Sequence, residues 1–371
     1  MNLLICVPTY NEAENIERFV HAVFAHCPPE AAMLVIDDNS PDGTASIVEN
    51  LFANYIERLY IMKRPEKQGG ASAFLQAFAW GIERGYDAML AMDADFSHDP
   101  AYIPVLLEKA NGYDVVLGSR LVKGGEIEDR TFTRNIISAG ASLYCRTLLA
   151  PSIMDWTGGY NLWSKNALAK IDLKSIATRG YSFQIEMKYK ALRAKCKITE
   201  VPIVFPDRKY GTSKMSPSYF IKALLDVWRI KFMHLNLWLK QFIKFAITGG
   251  LGTITNLTIF FLSADILNLP VIPVSIVCFL IAGMQNYIIN HKWSFSAVMH
   301  KSALSAKKYF LFLSSSLVGL AVNIAVMTSI IMSVNLPYKF IAQACGIMAG
   351  MLINFLFSKT LVFRRKRCSV N

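Results

Sequence analysis

Asp93-Ala94-Asp95 stands directly after the apolar run Ala88-Met89-Leu90-Ala91-Met92. Two carboxylates at i and i+2, at the end of a buried strand, can share one hard cation, and a cation held there can neutralise a bound diphosphate. An acidic turn would look the same in isolation. The surroundings favour chemistry, because three further polar clusters also follow apolar runs: Pro8-Thr9-Tyr10-Asn11-Glu12, Asp37-Asp38-Asn39-Ser40-Pro41-Asp42 and Gly118-Ser119-Arg120.

The elements that must position these clusters are short strands alternating with amphipathic helices. The patterning predicts strands at 3–7, 33–36, 59–62, 88–92 and 115–117, with helices near 12–24, 44–52, 71–84 and 102–109. Such alternation gives an α/β domain with a mostly parallel sheet covered on both faces, and ligands bind at the carboxyl ends of its strands. All four clusters fall on that edge. Asn11 and Ser40-Pro41 also suit helix caps. The chain has neither G-x-x-x-x-G-K-[ST] nor G-x-G-x-x-G, so no glycine-rich loop cradles phosphate, and Lys67-Gln68-Gly69-Gly70 reads as a helix start. Charge on a diphosphate would then be met by a metal and by basic side chains, with Arg208 and Lys214 available from the segment Arg208-Lys209-Tyr210-Gly211-Thr212-Ser213-Lys214. None of the six histidines lies in a motif beside the carboxylates, and His98 reads as a turn residue.

Beyond about Lys240 the composition changes. Apolar stretches at 245–264, 266–290, 309–338 and 340–358 each approach or exceed the roughly 20 residues that cross a bilayer as a helix. The net charge is +12, and its basic residues gather at membrane edges: Lys222, Arg229, Lys231, Lys240 and Lys244 before the first stretch, His291, Lys292, Lys301, Lys307 and Lys308 in the middle, and Arg364-Arg365-Lys366-Arg367 after the last. That distribution puts both ends and the middle loop in the cytosol and argues against nucleic-acid binding. The opening Leu3-Leu4-Ile5-Cys6-Val7 is too short and too weakly flanked for a signal peptide, so the first half is expected to stay cytosolic. Seven cysteines without a C-x-x-C pair read as reduced thiols. Between the halves, 219–238 alternates Phe220, Leu224, Trp228 and Phe232 with Lys222, Asp226, Arg229 and Lys231, the pattern of interfacial amphipathic helices.

The apolar half repeats. Phe245, Gly252 and Asn256 recur as Phe312, Gly319 and Asn323, and Asn286-Tyr287 with Phe295 recurs as Asn354-Phe355 with Phe363, a period of about 67 residues. The bundle is therefore expected to be a duplicated helical hairpin whose asparagines turn inward between helices; a path for lipid headgroups is the other reading of those asparagines.

PTYNE at 8–12, DDNSPDGT at 37–44, MDADFSHDP at 92–100, GSRLVKGG at 118–125 and RKYGTSK at 208–214 together resemble the dolichyl-phosphate mannose synthase group of inverting family 2 glycosyltransferases. The apolar half resembles the GtrA-like membrane domain. The resemblance implies a GT-A-type, Rossmann-like cytosolic domain over 1–215, interfacial helices over 216–238 and a four-helix transmembrane domain over 239–371. It also implies that Pro8, Tyr10, Glu12, Ile36, Asp38, Asp93, Ala94 and Asp95 hold the donor nucleotide, with Arg208 and Lys214 on its phosphates. Asp93, Asp95 and Ser97 would bind Mg²⁺ or Mn²⁺, with Ser97, a poorer ligand, standing where some relatives carry a glutamine. Arg120, Arg134 and Ser138 would hold the acceptor's phosphate, the catalytic set being Asp93, Asp95 and Arg120; Glu186 would lie near the sugar. The implied reaction moves mannose from GDP-mannose to a polyprenyl phosphate at the cytosolic membrane face. UDP-glucose as donor, and a membrane half that flips the lipid-linked sugar, are the alternatives. An anionic acceptor oxygen attacks without losing a proton, so no general base is required.

Overall fold

The computed structural model describes residues 1–128, 132–178, 180–206, 217–299, 302–334 and 339–363. The chain forms two compact units, Met1–Met233 and His234–Asn371.

In the first unit the strands are Leu3–Thr9 (β1), Ala32–Asp37 (β2), Leu59–Lys63 (β3), Ala88–Ala91 (β4), Val115–Ser119 (β5), Glu126–Ile127 (β6), Asn161–Ser164 (β7), Ile198–Pro202 (β8) and Val204–Phe205 (β9). Seven of them build one sheet in the order β3-β2-β1-β4-β7-β5-β8, while β6 and β9 pair separately. The five strands expected from the sequence are present. The structure adds β7, which enters antiparallel between β4 and β5, and β8, which runs parallel to β5. Strand alternation divides the core: Leu4 and Cys6 of β1 join Phe74 and Phe78 on one face, while Leu3, Ile5 and Val7 join Phe19 and Val20 on the other. Burial on both faces is why β1 and β2 read as unbroken apolar runs.

The helices of this unit are Ile16–His26 (α1), Thr44–Asn50 (α2), Gly70–Glu83 (α3), Ile103–Ala110 (α4), Phe132–Leu148 (α5), Lys165–Lys170 (α6), Tyr181–Arg193 (α7) and Pro217–Met233 (α8). A side chain at Gly81 would meet Leu4 Cδ2 at 2.8 Å, so the glycine lets α3 lie close on β1. Helix α8 buries Val227 and Ile230 in the core and is tied to α5 by Tyr144, whose hydroxyl donates to the Leu224 carbonyl at 3.3 Å. Its outward side carries Leu225, 64 % exposed, and Trp228, 56 % exposed, beside the exposed Lys222 and Arg229.

The second unit comprises Leu237–Phe260 (α9), Val271–Ile289 (α10), Ser296–Met299 (α11), Ala306–Ser333 (α12) and Lys339–Phe357 (α13). Among the described residues, Leu237–Ser263, Ile272–Ser294, Ala306–Ser333 and Cys345–Val362 are long and apolar enough to cross a membrane. The repeat seen in the sequence is a structural duplication. Each hairpin ends in a π-helical turn, Asn290–Ser294 and Ser358–Val362, closed by the amide of Phe295 on the Asn290 carbonyl (2.9 Å) and of Phe363 on the Ser358 carbonyl (2.8 Å). Aromatic contacts obey the same two-fold relation. Phe245–Phe355 (5.6 Å) corresponds to Tyr287–Phe312 (6.1 Å), Phe295–Phe355 to Tyr287–Phe363 (both 5.9 Å), and Phe245–Phe295 to Phe312–Phe363 (both 6.3 Å). Phe295 and Phe363 stack on each other at 4.6 Å, at the centre of this symmetry. Three of the four asparagines turn toward helix partners: Asn286 lies against Gly252, Asn354 against Gly319, and Asn323 against Gly346.

Candidate active site

Strand order reverses direction about β1: β2 and β3 lie on one side, β4 on the other, all parallel. Connections leaving to opposite sides open a crevice at the carboxyl ends of β1, β2 and β4. The clusters after these strands, and the one after β5, therefore share an edge.

The loops after β1 and β2 brace each other. Thr9 Oγ1 donates to Asp37 Oδ1 (3.1 Å), the Ser40 hydroxyl donates to the same oxygen (2.6 Å), and the Asn11 amide donates to Ser40 Oγ (3.1 Å). The Glu12 amide donates to Thr44 Oγ1 (3.0 Å), and the Ala13 amide donates to Asp42 Oδ2 (3.0 Å). Asn11 and Asn39 both take left-handed backbone angles, which asparagine tolerates well. Pro8, near the end of β1, is half-buried, and Ile36, near the end of β2, is fully buried. Glu12 accepts from Asn15 Nδ2 at 3.1 Å, and Tyr10, on the rim, has Lys67 Nζ 3.4 Å above its ring centre. Asp38 is ion-paired to the buried Arg64 and accepts the Gly69 amide at 2.8 Å. Gly69, at φ +85°, opens α3, so the Lys67 to Gly70 segment is the helix start that the sequence suggested.

In the acidic turn, Asp93 and Asp95 are half-buried and Ala94 is buried. The Asp93 amide donates to His98 Nδ1 (2.9 Å), and Asp95 Oδ1 accepts the Ser97 amide (3.0 Å) together with the Ser97 hydroxyl. Phe96, between them, has φ +58°, a rare conformation for a bulky side chain of the kind found at functional turns. Ser97, expected as a metal ligand, directs its hydroxyl to Asp95. The donor set, carboxylates two residues apart at the crevice, suits a hard divalent cation, and among the described residues no third His, Cys, Asp or Glu joins them as a ligand group. Asp93 and Asp95 would supply the protein's ligands, leaving further positions to phosphate and water.

Arg120 follows β5, and its fork grips Asp155: Nε reaches Oδ2 at 2.7 Å and Nη2 reaches Oδ1 at 2.8 Å, with Nη2 also donating to Thr157 Oγ1 at 2.8 Å. Asp155 further accepts the amides of Arg120 (3.1 Å), Thr157 (3.2 Å) and Gly158 (2.9 Å). Burial alone would raise its carboxyl, but the Arg120 hydrogen bonds and charge, with Lys188 adding, hold it well below the usual carboxylate range. Lys188 is fully buried and donates to the carbonyls of Asp155 (2.7 Å) and Gly158 (2.9 Å); burial lowers its amine to about 8, with the Asp155 charge opposing. Glu200 accepts the amides of Met154 and Asp155. Arg120, expected at the acceptor's phosphate, thus has Nε and Nη2 committed to Asp155 in this structure.

Ser138 is half-buried on α5, one helical turn beyond Arg134. The side chain of Arg134, and Arg208 and Lys214 altogether, lie outside the described residues. Glu186, expected near the sugar, is fully buried: its Oε2 accepts from the amides of Ala177 (3.2 Å) and Thr178 (2.9 Å) and from Thr178 Oγ1 (2.7 Å), while Oε1 pairs with Lys190. Its carboxylate anchors the segment before α7.

Residues 4–172 match Glycosyl transferase family 2, and residues 244–363 match the GtrA/DPMS transmembrane domain. Among curated proteins, the chain is 39 % identical over 231 residues to a polyprenol monophosphomannose synthase of Mycolicibacterium smegmatis, covering 62 % of this chain and 87 % of the relative. The chain belongs to glycosyl transferase family 2. This family 2 glycosyltransferase is also 39 % identical over 229 residues to an undecaprenyl-phosphate mannosyltransferase of Micrococcus luteus, covering 62 % of this chain and 93 % of that one. Among solved structures, glucosyl-3-phosphoglycerate synthase of Mycobacterium tuberculosis, in complex with Mn²⁺, UDP and phosphoglyceric acid, aligns with TM-score 0.47 and 14 % identity over 62 % of this chain and 78 % of that one. The GtrA/DPMS domain and the four apolar helices make this glycosyltransferase a multi-pass membrane protein.

Arg64, Asp155, Lys188 and Glu200 carry no local signal in the sequence. They sit in no recognisable motif, and only the pairing of β7 against β4 and β5 brings Asp155 beside Arg120.

Proposed function

We propose that this glycosyltransferase moves mannose from GDP-mannose to a polyprenyl phosphate at the cytosolic face of the membrane, with inversion at the anomeric carbon. The observation that carries the reading is the half-buried Asp93/Asp95 pair at the β4 end, on the crevice edge that also bears Pro8, Tyr10, Glu12, Ile36 and Asp38. The mannosyltransferase names of both curated relatives support it.

In this reading, Pro8, Tyr10, Glu12, Ile36, Asp38 and Ala94 hold the nucleoside. Asp93 and Asp95 hold Mg²⁺ or Mn²⁺, which supplies charge neutralisation at the diphosphate leaving group. Arg208 and Lys214 add basic donors to those phosphates. Arg134 and Ser138, one turn apart on α5, receive the acceptor's phosphate. Arg120 braces the β5 end through Asp155, with its charge matched by that carboxylate. The acceptor oxygen is already ionised, so the protein's task is alignment and charge stabilisation rather than proton removal.

The outward face of α8, with Leu225 and Trp228 among Lys222 and Arg229, suits the interface where a polyprenyl tail enters the bilayer. The boundaries proposed for the parts are 1–215 for the catalytic domain, 216–238 for the interfacial segment and 239–371 for the membrane domain. The test offers purified protein labelled GDP-mannose or UDP-glucose with Mn²⁺ and a short polyprenyl phosphate. A mannolipid is expected; glucolipid alone replaces the donor, and no glycolipid from either donor overturns the reading.

A further inference from the structure

His98 is 2 % exposed, yet it lies in none of the roles assigned above. Its Nδ1 accepts the Asp93 amide at 2.9 Å, which fixes the ring with an unprotonated Nδ1. The ring stacks on Tyr160 (4.9 Å, 19°) and meets the edge of Phe205 (5.9 Å, 69°). Tyr160 donates its hydroxyl to the Asp99 carbonyl at 3.0 Å, so the residue after His98 is fastened to the same ring. Phe205, the last residue of β9, also lies under the Arg120 guanidinium at 5.2 Å. Room for the imidazole depends on Gly159, where a Cβ would come within 3.3 Å of His98 Cε1. One ring therefore touches the acidic turn after β4, the loop into β7 and the strand that leads toward Arg208.

We infer that His98 is a positioning residue, which sets the backbone of Asp93 so that the Asp93 and Asp95 carboxylates converge on one cation. The inference rests on the metal reading of that pair. A peptide turn with a left-handed Phe96 at its centre has several alternative arrangements, and a buried acceptor for the Asp93 amide selects one of them. Without it the amide would be left in a part-buried site lacking this partner, and the turn would relax to find another. Partners that orient ligands without touching the metal commonly govern its affinity by about tenfold or more.

Two variants separate the acceptor from the ring. His98→Phe keeps an aromatic ring against Tyr160 and Phe205 but removes the acceptor; His98→Asn places Oδ1 near the Nδ1 position and removes the ring. The full-length protein in detergent is titrated with Mn²⁺ in the presence of GDP, free Mn²⁺ is followed by electron paramagnetic resonance, and metal-free thermal unfolding is recorded alongside. The expected result is Mn²⁺ binding weakened about tenfold or more in His98→Phe, with unfolding close to wild type, and affinity within about threefold of wild type in His98→Asn. Wild-type affinity in His98→Phe, or equal weakening in both variants, overturns the inference. Should His98→Phe not fold, His98→Asn decides alone: near-wild-type affinity supports the acceptor role and a loss of about tenfold contradicts it. Failure of the wild type to bind Mn²⁺ removes the metal reading and this inference together, whereas wild-type binding shared by His98→Phe removes this inference alone.

Discussion

Arg120 and Asp155 form a closed two-point fork, at 2.7 and 2.8 Å, between the end of β5 and the loop that leads into β7. Both side chains are buried, so removing one partner strands a charge away from water. Asp155→Ala is expected to cost about 3–5 kcal/mol, read from denaturant unfolding of the purified protein. Arg120→Lys should recover only part of the stability, because a single ammonium cannot span both carboxylate oxygens.

The same pair sets an acid limit. Asp155 has an ordinary value of 3.8 and is held below it when folded, so its stabilising contribution is complete above that pH and is lost as pH falls through the folded value. Unfolding midpoints measured from pH 6 down to about 2 should therefore fall steeply in the wild type, and less steeply in Asp155→Asn, which has no proton to take up. Parallel curves for the two proteins would contradict this.

Lys188 acts in the same direction at alkaline pH. Its amine is lowered from 10.5 to about 8, so the unfolded chain binds more protons between those values and stability contributed by this group rises with pH across that window. A neutral amine retains two N–H donors, enough for the Asp155 and Gly158 carbonyls. The rise is about 3 kcal/mol at full effect. Cys145, whose burial pushes its thiol up to about 12 against the lowering charge of Lys188, works against it; Lys188→Met keeps that thiol buried and high, so the readout is the wild-type slope minus that of Lys188→Met. A positive difference is expected.

Much of this was legible in the sequence because the signals were local. The apolar runs of β1, β2 and β4, each ending in a polar cluster, announced both the parallel sheet and its ligand-binding edge. The duplicated hairpin was legible because Gly252 with Asn286, and Gly319 with Asn354, are the residues that make equivalent close helix contacts. What stayed hidden depends on long-range pairing. Strand β7 is short and antiparallel within a parallel sheet, so nothing in Asn161–Ser164 marks it as central, and Asp155 meets Arg120 only because of where that strand lies. Glu186, which the resemblance put near the sugar, carries nothing in its local sequence to announce that the fold buries it against the amides of Ala177 and Thr178. His98 looked like a turn residue because its role is to accept a backbone amide, which leaves no motif.

The membrane unit offers a symmetric test. A methyl group at Gly252 would collide with the Asn286 carboxamide, and one at Gly319 with that of Asn354. Gly252→Ala and Gly319→Ala should each lower stability by about 1–3 kcal/mol through overpacking, by similar amounts because the contacts are repeat equivalents. Thermal unfolding in detergent measures both; an effect confined to one hairpin would show that the duplicated contact is not energetically shared.

The account depends most on a divalent cation held by Asp93 and Asp95 at the β4 end. Its most direct test is transfer of labelled mannose from GDP-mannose to a polyprenyl phosphate by the chelator-treated protein, with Mn²⁺ or Mg²⁺ added back in steps. The account predicts no product without metal, recovery on addition in the wild type, and loss of product in Asp95→Ala at every metal concentration. Undiminished transfer by the chelated enzyme, or by Asp95→Ala, would contradict it.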